Sequence, residues 1–311
     1  MTSNAPWSLH STGRVLRLVG WAALLAVAMG AGRTVEGRGG EMARAPDFAN
    51  GGRFFDQAVQ FVSGGQPVVH QVRNFYADLA DTQVQIEGNQ QEGFLRLWFD
   101  QDDRYRFEIR PERALAQTTT KILNGDRMWV ISPDAQVSSV TGTADGARAI
   151  QQLKQDRARL ADLAAFLTLQ SLKGDNVRFD YEGVTQGGGA FAGDWLKVNR
   201  VVGQEAQIVF FFAYEKDGSG RPVKATWPGV VTVVGDAKAK EPTEYYLLRD
   251  WKAGPYFRYP ARIEAFSQEV PGAPLKRFLM AFPQDIRINA NIPPALFEAP
   301  QAAPPPSDGN R

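Results

Sequence analysis

From Gly93 to Asn289 the chain is a series of short apolar runs separated by tight-turn residues, and that grammar points to antiparallel β structure. Residues 105–109 show it most cleanly. Tyr105, Phe107 and Ile109 fall on one face and Arg106 and Glu108 on the other, a period of two that marks a half-buried strand. Asn124-Gly125-Asp126 followed by Met128-Trp129-Val130-Ile131 is a hairpin signal, because Asn-Gly readily adopts the positive φ of the favoured two-residue turns. Further strands are expected at 177–181, 195–202, 208–214, 223–227, 230–234, 245–251, 262–267, 276–282 and 286–290, with turns at Gly187–Gly189, Asp217–Gly220 and Gly235-Asp236. Two runs, Gly93–Phe99 and Ile208–Phe212, are apolar on both faces. Such strands fit a curved sheet whose convex side packs on something and whose concave side encloses an apolar space; an ordinary thick core fits them equally.

The period changes only locally. Residues 54–62 carry Phe54, Phe55, Ala58, Val59, Phe61 and Val62 at helical spacing and stop at Gly64-Gly65. Residues 68–79 are ambiguous between helix and strand. Over 144–173, Ala147, Ile150, Leu153, Leu160, Leu163, Ala164 and Leu167 recur at three and four, with Lys154, Asp156, Arg157 and Arg159 facing elsewhere. Asp145 is a candidate cap and Lys173-Gly174 a candidate stop for this long helix. The expected fold is therefore mainly β: an incomplete antiparallel β-barrel, or strongly curved sheet, of about ten strands with helices covering the concave side.

The two ends have other characters. Residues 1–32 hold Arg14 and Arg17, no acidic residue, an apolar run from Leu18 to Ala28 and the small-residue site Ala26-x-Ala28. This is the form of a cleaved secretory signal, and the run is short for a membrane span of about 20 residues. Cleavage is expected between Ala28 and Gly32, giving an exported, periplasmic product with no stable membrane span. Residues 33–52 read as a flexible leader, 53–299 as one domain, and the Pro-rich 300–311 as a disordered tail.

Composition limits the chemistry. There is no cysteine, and histidine occurs only at His10 and His70. Cysteine nucleophiles, thiolate metal sites, disulfides and multi-histidine metal motifs are therefore excluded. Lys+Arg (35) against Asp+Glu (34) gives no field to recruit nucleic acid. Asp102-Asp103 sits between two strands and reads as a solvated turn. His70 lacks an identifiable partner, Gly187–Gly189 lacks the context of a phosphate loop, and Ser219 is not in a nucleophile elbow. No cofactor, metal or catalytic residue is expected.

Several segments, in order, resemble the LolA/LolB-like group of periplasmic lipoprotein carriers. They are Gly93–Phe99, Asp103–Glu108, the hairpin Asn124–Pro133, the helix around Leu160–Leu172, and Ile286–Asn289 followed by Ile292–Phe297. The resemblance implies a half-barrel that shields acyl chains of lipids or lipoproteins without catalysis, with inner- and outer-membrane proteins as possible partners. Trp98, Tyr105, Phe107, Ile109, Trp129, Phe210 and Phe212 are then the candidates to line the apolar cavity. Ile150, Leu153, Leu160, Leu163 and Leu167 are the candidates to form the lid. The family's basic latch position falls near Gln101, between Asp100 and Asp102, with Arg104 and Arg106 close by, so the sequence leaves open whether the lid is latched. A regulatory sensor on the same half-barrel is the alternative, and an envelope hydrolase using Asp102, Asp103 or Glu108 a more distant one.

Overall fold

The structure is a computed structural model that describes residues 45–86, 89–111, 117–235, 243–270 and 272–299, with backbone alone at 84–86 and 89–91. The signal segment, most of the leader and the Pro-rich tail lie outside the described residues. Helix α1 (Phe48–Ser63) begins the domain. It starts within the segment expected to be leader, because Asp47 caps it: the Asp47 carboxylate accepts from the Asn50 amide, and Gly64, at φ 62°, closes the other end.

Six strands follow: β1 (Asn74–Ile86), β2 (Asn89–Asp100), β3 (Arg104–Pro111), β4 (Thr119–Asn124), β5 (Arg127–Ile131) and β6 (Val137–Ser139). Helix α2 (Ala144–Thr168) comes next. Seven strands complete the chain: β7 (Val177–Gly187), β8 (Gly193–Val202), β9 (Glu205–Lys216), β10 (Pro222–Val233), β11 (Thr243–Ala253), β12 (Arg258–Gln268) and β13 (Lys276–Ile288). Short 3₁₀ turns sit at Gly189–Phe191 and Pro294–Phe297.

All thirteen strands form one antiparallel sheet in the order β6-β5-β4-β3-β2-β1-β13-β12-β11-β10-β9-β8-β7. The sheet is not closed into a barrel. Each half is a meander, β1 pairs with β13 at the centre, and α2 joins the two outer edges. The sheet curves around that helix. Arg157 of α2 reaches the turn after β2, whereas Arg159, about 3 Å further along the axis, reaches Glu244 on β11. In a flat sheet those strands would stand four to five spacings apart, roughly 20–24 Å. Only a folded-over sheet brings both within reach of one helix.

The pairing registers assign the faces. Leu95, Leu97 and Phe99 of β2 stand opposite Ile109, Phe107 and Tyr105 of β3. Phe210 and Phe212 of β9 stand opposite Val198 and Leu196 of β8. These residues share the concave face with α1 and α2 in one large core. The convex face holds a smaller cluster of Phe191, Val230, Leu247 and Phe266, with Phe211 and Tyr245 against it. Ile208–Phe212 is thus apolar on both faces because each face has its own core.

Two close approaches fix the helices. A Cβ at Gly51 would lie 2.0 Å from the Phe179 carbonyl oxygen, so α1 lies directly on the backbone of β7. A Cβ at Gly146 would lie 1.7 Å from the Val140 carbonyl oxygen, which seats the first turn of α2 against the end of β6. Thr143 caps α2 by accepting from the Gly146 amide; the expected cap, Asp145, lies within the first turn instead. The helix ends at Thr168, before the expected stop, with buried Leu169 at φ 60°.

Candidate functional site

The concave face and its covering helices form the candidate site. Tyr105 is buried, and Phe107 and Ile109 are half-buried beside it. Phe210 and Phe212 are fully buried and stack on each other at 5.4 Å between ring centroids. Phe55 of α1 meets both rings edge-on, at 5.5 and 6.2 Å, and stacks on Phe179. Side chains from α1 and α2 therefore fill this face as core.

Trp98 and Trp129 do not join that set. Trp98 pairs with Arg106, Arg106 with Ile122, and Ile122 with Trp129, a row on the convex face. Trp98 packs against Tyr76 there, with the Arg106 guanidinium 5.8 Å from its ring. The C-terminal turn covers part of the same row: Arg106 donates to the Leu296 carbonyl at 3.0 Å and Asn124 to that of Phe297 at 3.3 Å. Arg96 and Arg127, two residues from each tryptophan on the same strand faces, are the sequence signals of that outward direction.

The five lid candidates lie on α2. Leu153, Leu160, Leu163 and Leu167 are buried, and Ile150 packs half-buried against the same core. Ion pairs flank this stripe. Arg157 bonds the Asp100 carbonyl and pairs with Asp103 at 3.3 Å, while its guanidinium lies 5.6 Å from the Phe99 ring. Lys154 reaches Asp126 at 2.6 Å, and Arg159 reaches Glu244 at 3.0 Å. The acidic neighbourhood of Gln101 thus meets a basic partner on the helix, Arg157. In sequence Arg157 reads only as part of a solvated helix face; its partner lies 54 positions away.

A polar seam runs beneath α2. Lys121 of β4 faces inward opposite Phe107, and burial lowers its pKa while Asp156 raises it. Burial raises the Asp156 carboxyl, against Gln152, which donates to it at 3.0 Å. Burial, and then Glu244, raise Asp162 to about 6. Tyr246 donates to Glu244 at 2.6 Å, and its hydroxyl is pushed well above its ordinary value by burial. In sequence Asp156 reads as part of the wet face of the helix, and Lys121, Asp162 and Glu244 look like ordinary surface charges.

The remaining sequence candidates fall apart as chemistry. Asp100, Asp102 and Arg104 form a turn, with Arg104 bonded to both carboxylates. Glu108 pairs with Arg106 at 2.6 Å on the convex face. His70 is exposed, 3.5 Å from Gln170, in a linker that borders a cavity of about 580 Å³ with Asn74 and Asn289. Gly187–Gly189 leads into the 3₁₀ turn, and Ser219 donates to Asp217 within a hairpin. No group of three His, Cys, Asp or Glu side chains suited to a metal occurs among the described residues. No helix among them is long and apolar enough to cross a membrane.

No protein-family model matches the chain. No curated protein matches it. Solved structures similar to it include these two. One is a LolA superfamily protein from Nitrosomonas europaea, with 8% identity over 80% of this chain and 97% of that one, at a TM-score of 0.38. The other is an outer membrane lipoprotein-sorting protein domain from Vibrio parahaemolyticus, with 10% identity over 81% of this chain and 97% of that one, at a TM-score of 0.37.

Proposed function

We propose that the chain is an exported, non-catalytic carrier that shelters acyl chains of lipids or lipoproteins on the concave face of its sheet. The observation that carries this reading is α2 itself. It covers an apolar face with a leucine stripe, is joined to the two opposite edges of the sheet, and is pinned by ion pairs along its flanks. Flanking pairs of this kind contribute about 0–1 kcal/mol each, so they set the helix's position more than they hold it down. An acyl chain gains about 0.8 kcal/mol for each methylene it buries. A chain of a dozen carbons could therefore replace the contacts that Leu153, Leu160 and Leu163 make in the closed form. In this reading α2 lifts, the acyl chain takes the place of its apolar stripe, and the two tethered ends keep the helix from leaving.

The ordered motif resemblance supports the same reading, since its segments fall on β2, β3, the β4–β5 hairpin, α2, β13 and the C-terminal turn. The form of residues 1–32 supports export to the periplasm.

Hydrogen exchange tests the proposal. Amides of residues 153–167 should exchange faster than those of Met128–Ile131, and slow down when lipid is added. Equal protection in helix and strands, unchanged by lipid, would refute a moving lid. Amino-terminal sequencing of the secreted product should start between residues 29 and 33; retention of Met1 would refute cleavage.

A further inference from the structure

We propose that the convex face carries a second binding site, for an amphipathic anion: a carboxylate or phosphate headgroup on an acyl chain. The site is on the opposite side of the sheet from α2, and the inference does not rest on the carrier reading. A cavity of about 390 Å³ lies there, between the 3₁₀ turn at Gly189–Phe191 and the β12–β13 hairpin. Its lining includes Ala190, Phe266, Leu275 and Phe278 together with Glu264 and Arg277. The apolar wall continues the small convex cluster through Phe266 and Leu275. The volume is at the lower end of ligand-site sizes, about 300–1,000 Å³, enough for a headgroup and part of one chain.

The charges beside this wall do not balance. Arg249 stands directly opposite Arg262 across β11 and β12, a like-charge cross-strand pair that is destabilising on its own. Arg277 is the third guanidinium. The carboxylate among them is Glu264, which is 7% exposed and meets Arg262 at 3.0 Å and Arg277 at 3.3 Å. Arg249 is turned to the Ala190 carbonyl on the cavity's rim, and nearby Lys276 already has Glu269 at 3.1 Å. Glu264 meets two of the three guanidiniums, and a further carboxylate, Glu92, is held at 2.9 Å by Gln83 on the lining, so one positive charge is in excess. Arg262 also keeps a buried Nε without an acceptor. Glu264 holds two of the guanidiniums in place but cannot saturate their donors. The Arg262 and Arg277 side chains remain 36% and 41% exposed, so both have donors free for an incoming anion. Guanidinium to carboxylate or phosphate is a charge-assisted, geometrically matched contact. The headgroup is placed at these arginines and the chain along Phe266 and Leu275.

The test uses the full secreted chain and two probes, dodecanoate and dodecyl phosphate, with dodecanol as the uncharged control. A photoreactive dodecanoate should label peptides within 187–193 and 264–279. Both anions should bind, the tighter one identifying the headgroup, and dodecanol should bind at least tenfold more weakly. Arg262→Gln should weaken anion binding about tenfold, the loss of one charge-assisted bond, and leave dodecanol unchanged. Leu275→Trp, which fills the cavity, should abolish labelling of 264–279 while thermal melting shows the variant folded. Labelling confined to α1, α2 and β9 would overturn the second site while leaving the carrier reading intact. Equal affinity for dodecanol, or absence of any labelled peptide on the convex face, would overturn it too.

Discussion

Phe210→Ala tests whether the concave face is solid core or an open cavity wall in the resting protein. Phe210 is fully buried, stacks on Phe212 at 5.4 Å and meets Phe55 edge-on at 5.5 Å. Truncation removes the ring's burial, both aromatic contacts and the packing around them, and leaves a void between α1 and β9. Phe→Ala losses at such sites run about 3–5 kcal/mol, with each aromatic pair contributing roughly 0.5–1.5 kcal/mol of it. We expect about 4 kcal/mol. In a domain of this size each kcal/mol lowers the melting temperature by about 2–4 °C, so the drop should be roughly 8–16 °C. Phe107→Ala, at a half-buried position on the same face, should lose about half as much. Urea unfolding with an unchanged m-value, followed by both tryptophan fluorescence and far-UV circular dichroism, is the assay. A loss below about 1 kcal/mol for Phe210→Ala, together with weakened acyl binding, would show an open wall and refute the packing argument.

Three further outcomes follow from the contacts of α1 and α2. Arg157→Ala removes the Asp100 and Asp103 contacts and the stack on Phe99; about 1–2 kcal/mol of lost docking should speed exchange of residues 153–167 roughly 5- to 30-fold and leave β4–β5 amides unchanged. Asp162 is held at about 6 by burial and by Glu244, so its proton binds more tightly with α2 docked than in the unfolded chain. Docking is therefore favoured below pH 3.8 and loses that advantage as pH rises to about 6; melting curves across this window should flatten in Asp162→Asn, and the variant should be the more stable one at pH 7. Gly51→Ala must displace α1 from β7, because its Cβ would sit 2.0 Å from the Phe179 carbonyl oxygen; a melting temperature equal to wild type would contradict that contact.

Much of the fold is legible because period and turn chemistry act locally. The alternation Tyr105–Ile109 and the Asn124-Gly125 turn, with Gly125 at φ 59°, appear where residue type demands them. Residues 68–79 resisted assignment for a physical reason. Val72, Tyr76 and Leu79 recur at helical spacing, yet Tyr76 and Leu79 lie in β1, where a bulge after Asp78 and another past Leu79 shift the period of two. The two-sided runs announced two covered faces without saying which was which. Arg96 marks the outward face of β2, and Trp98 follows it there rather than joining Phe107. The ion pairs between α2 and the sheet are the least legible part. Arg157 with Asp103, and Arg159 with Glu244, become partners only through the curvature of a sheet whose two halves come from opposite sides of α2 in the sequence.

The strand order has a consequence for connectivity. β1 lies beside β13, and the Asn289 amide donates to the Asn74 carbonyl at 3.0 Å, so the two ends of the sheet-forming chain meet at the sheet's centre. Every other neighbouring pair of strands is consecutive in sequence. The order of strands is therefore cyclic: joining residue 299, beside β3 and β4, to residue 45, beside β7, through a linker long enough to cross between them, and cutting at the exposed turn around Gly142, preserves every strand pairing. In that permutant β6 and α2 become the two termini. The helix then keeps one attachment in place of two, and its docking to the sheet can be measured against a free end.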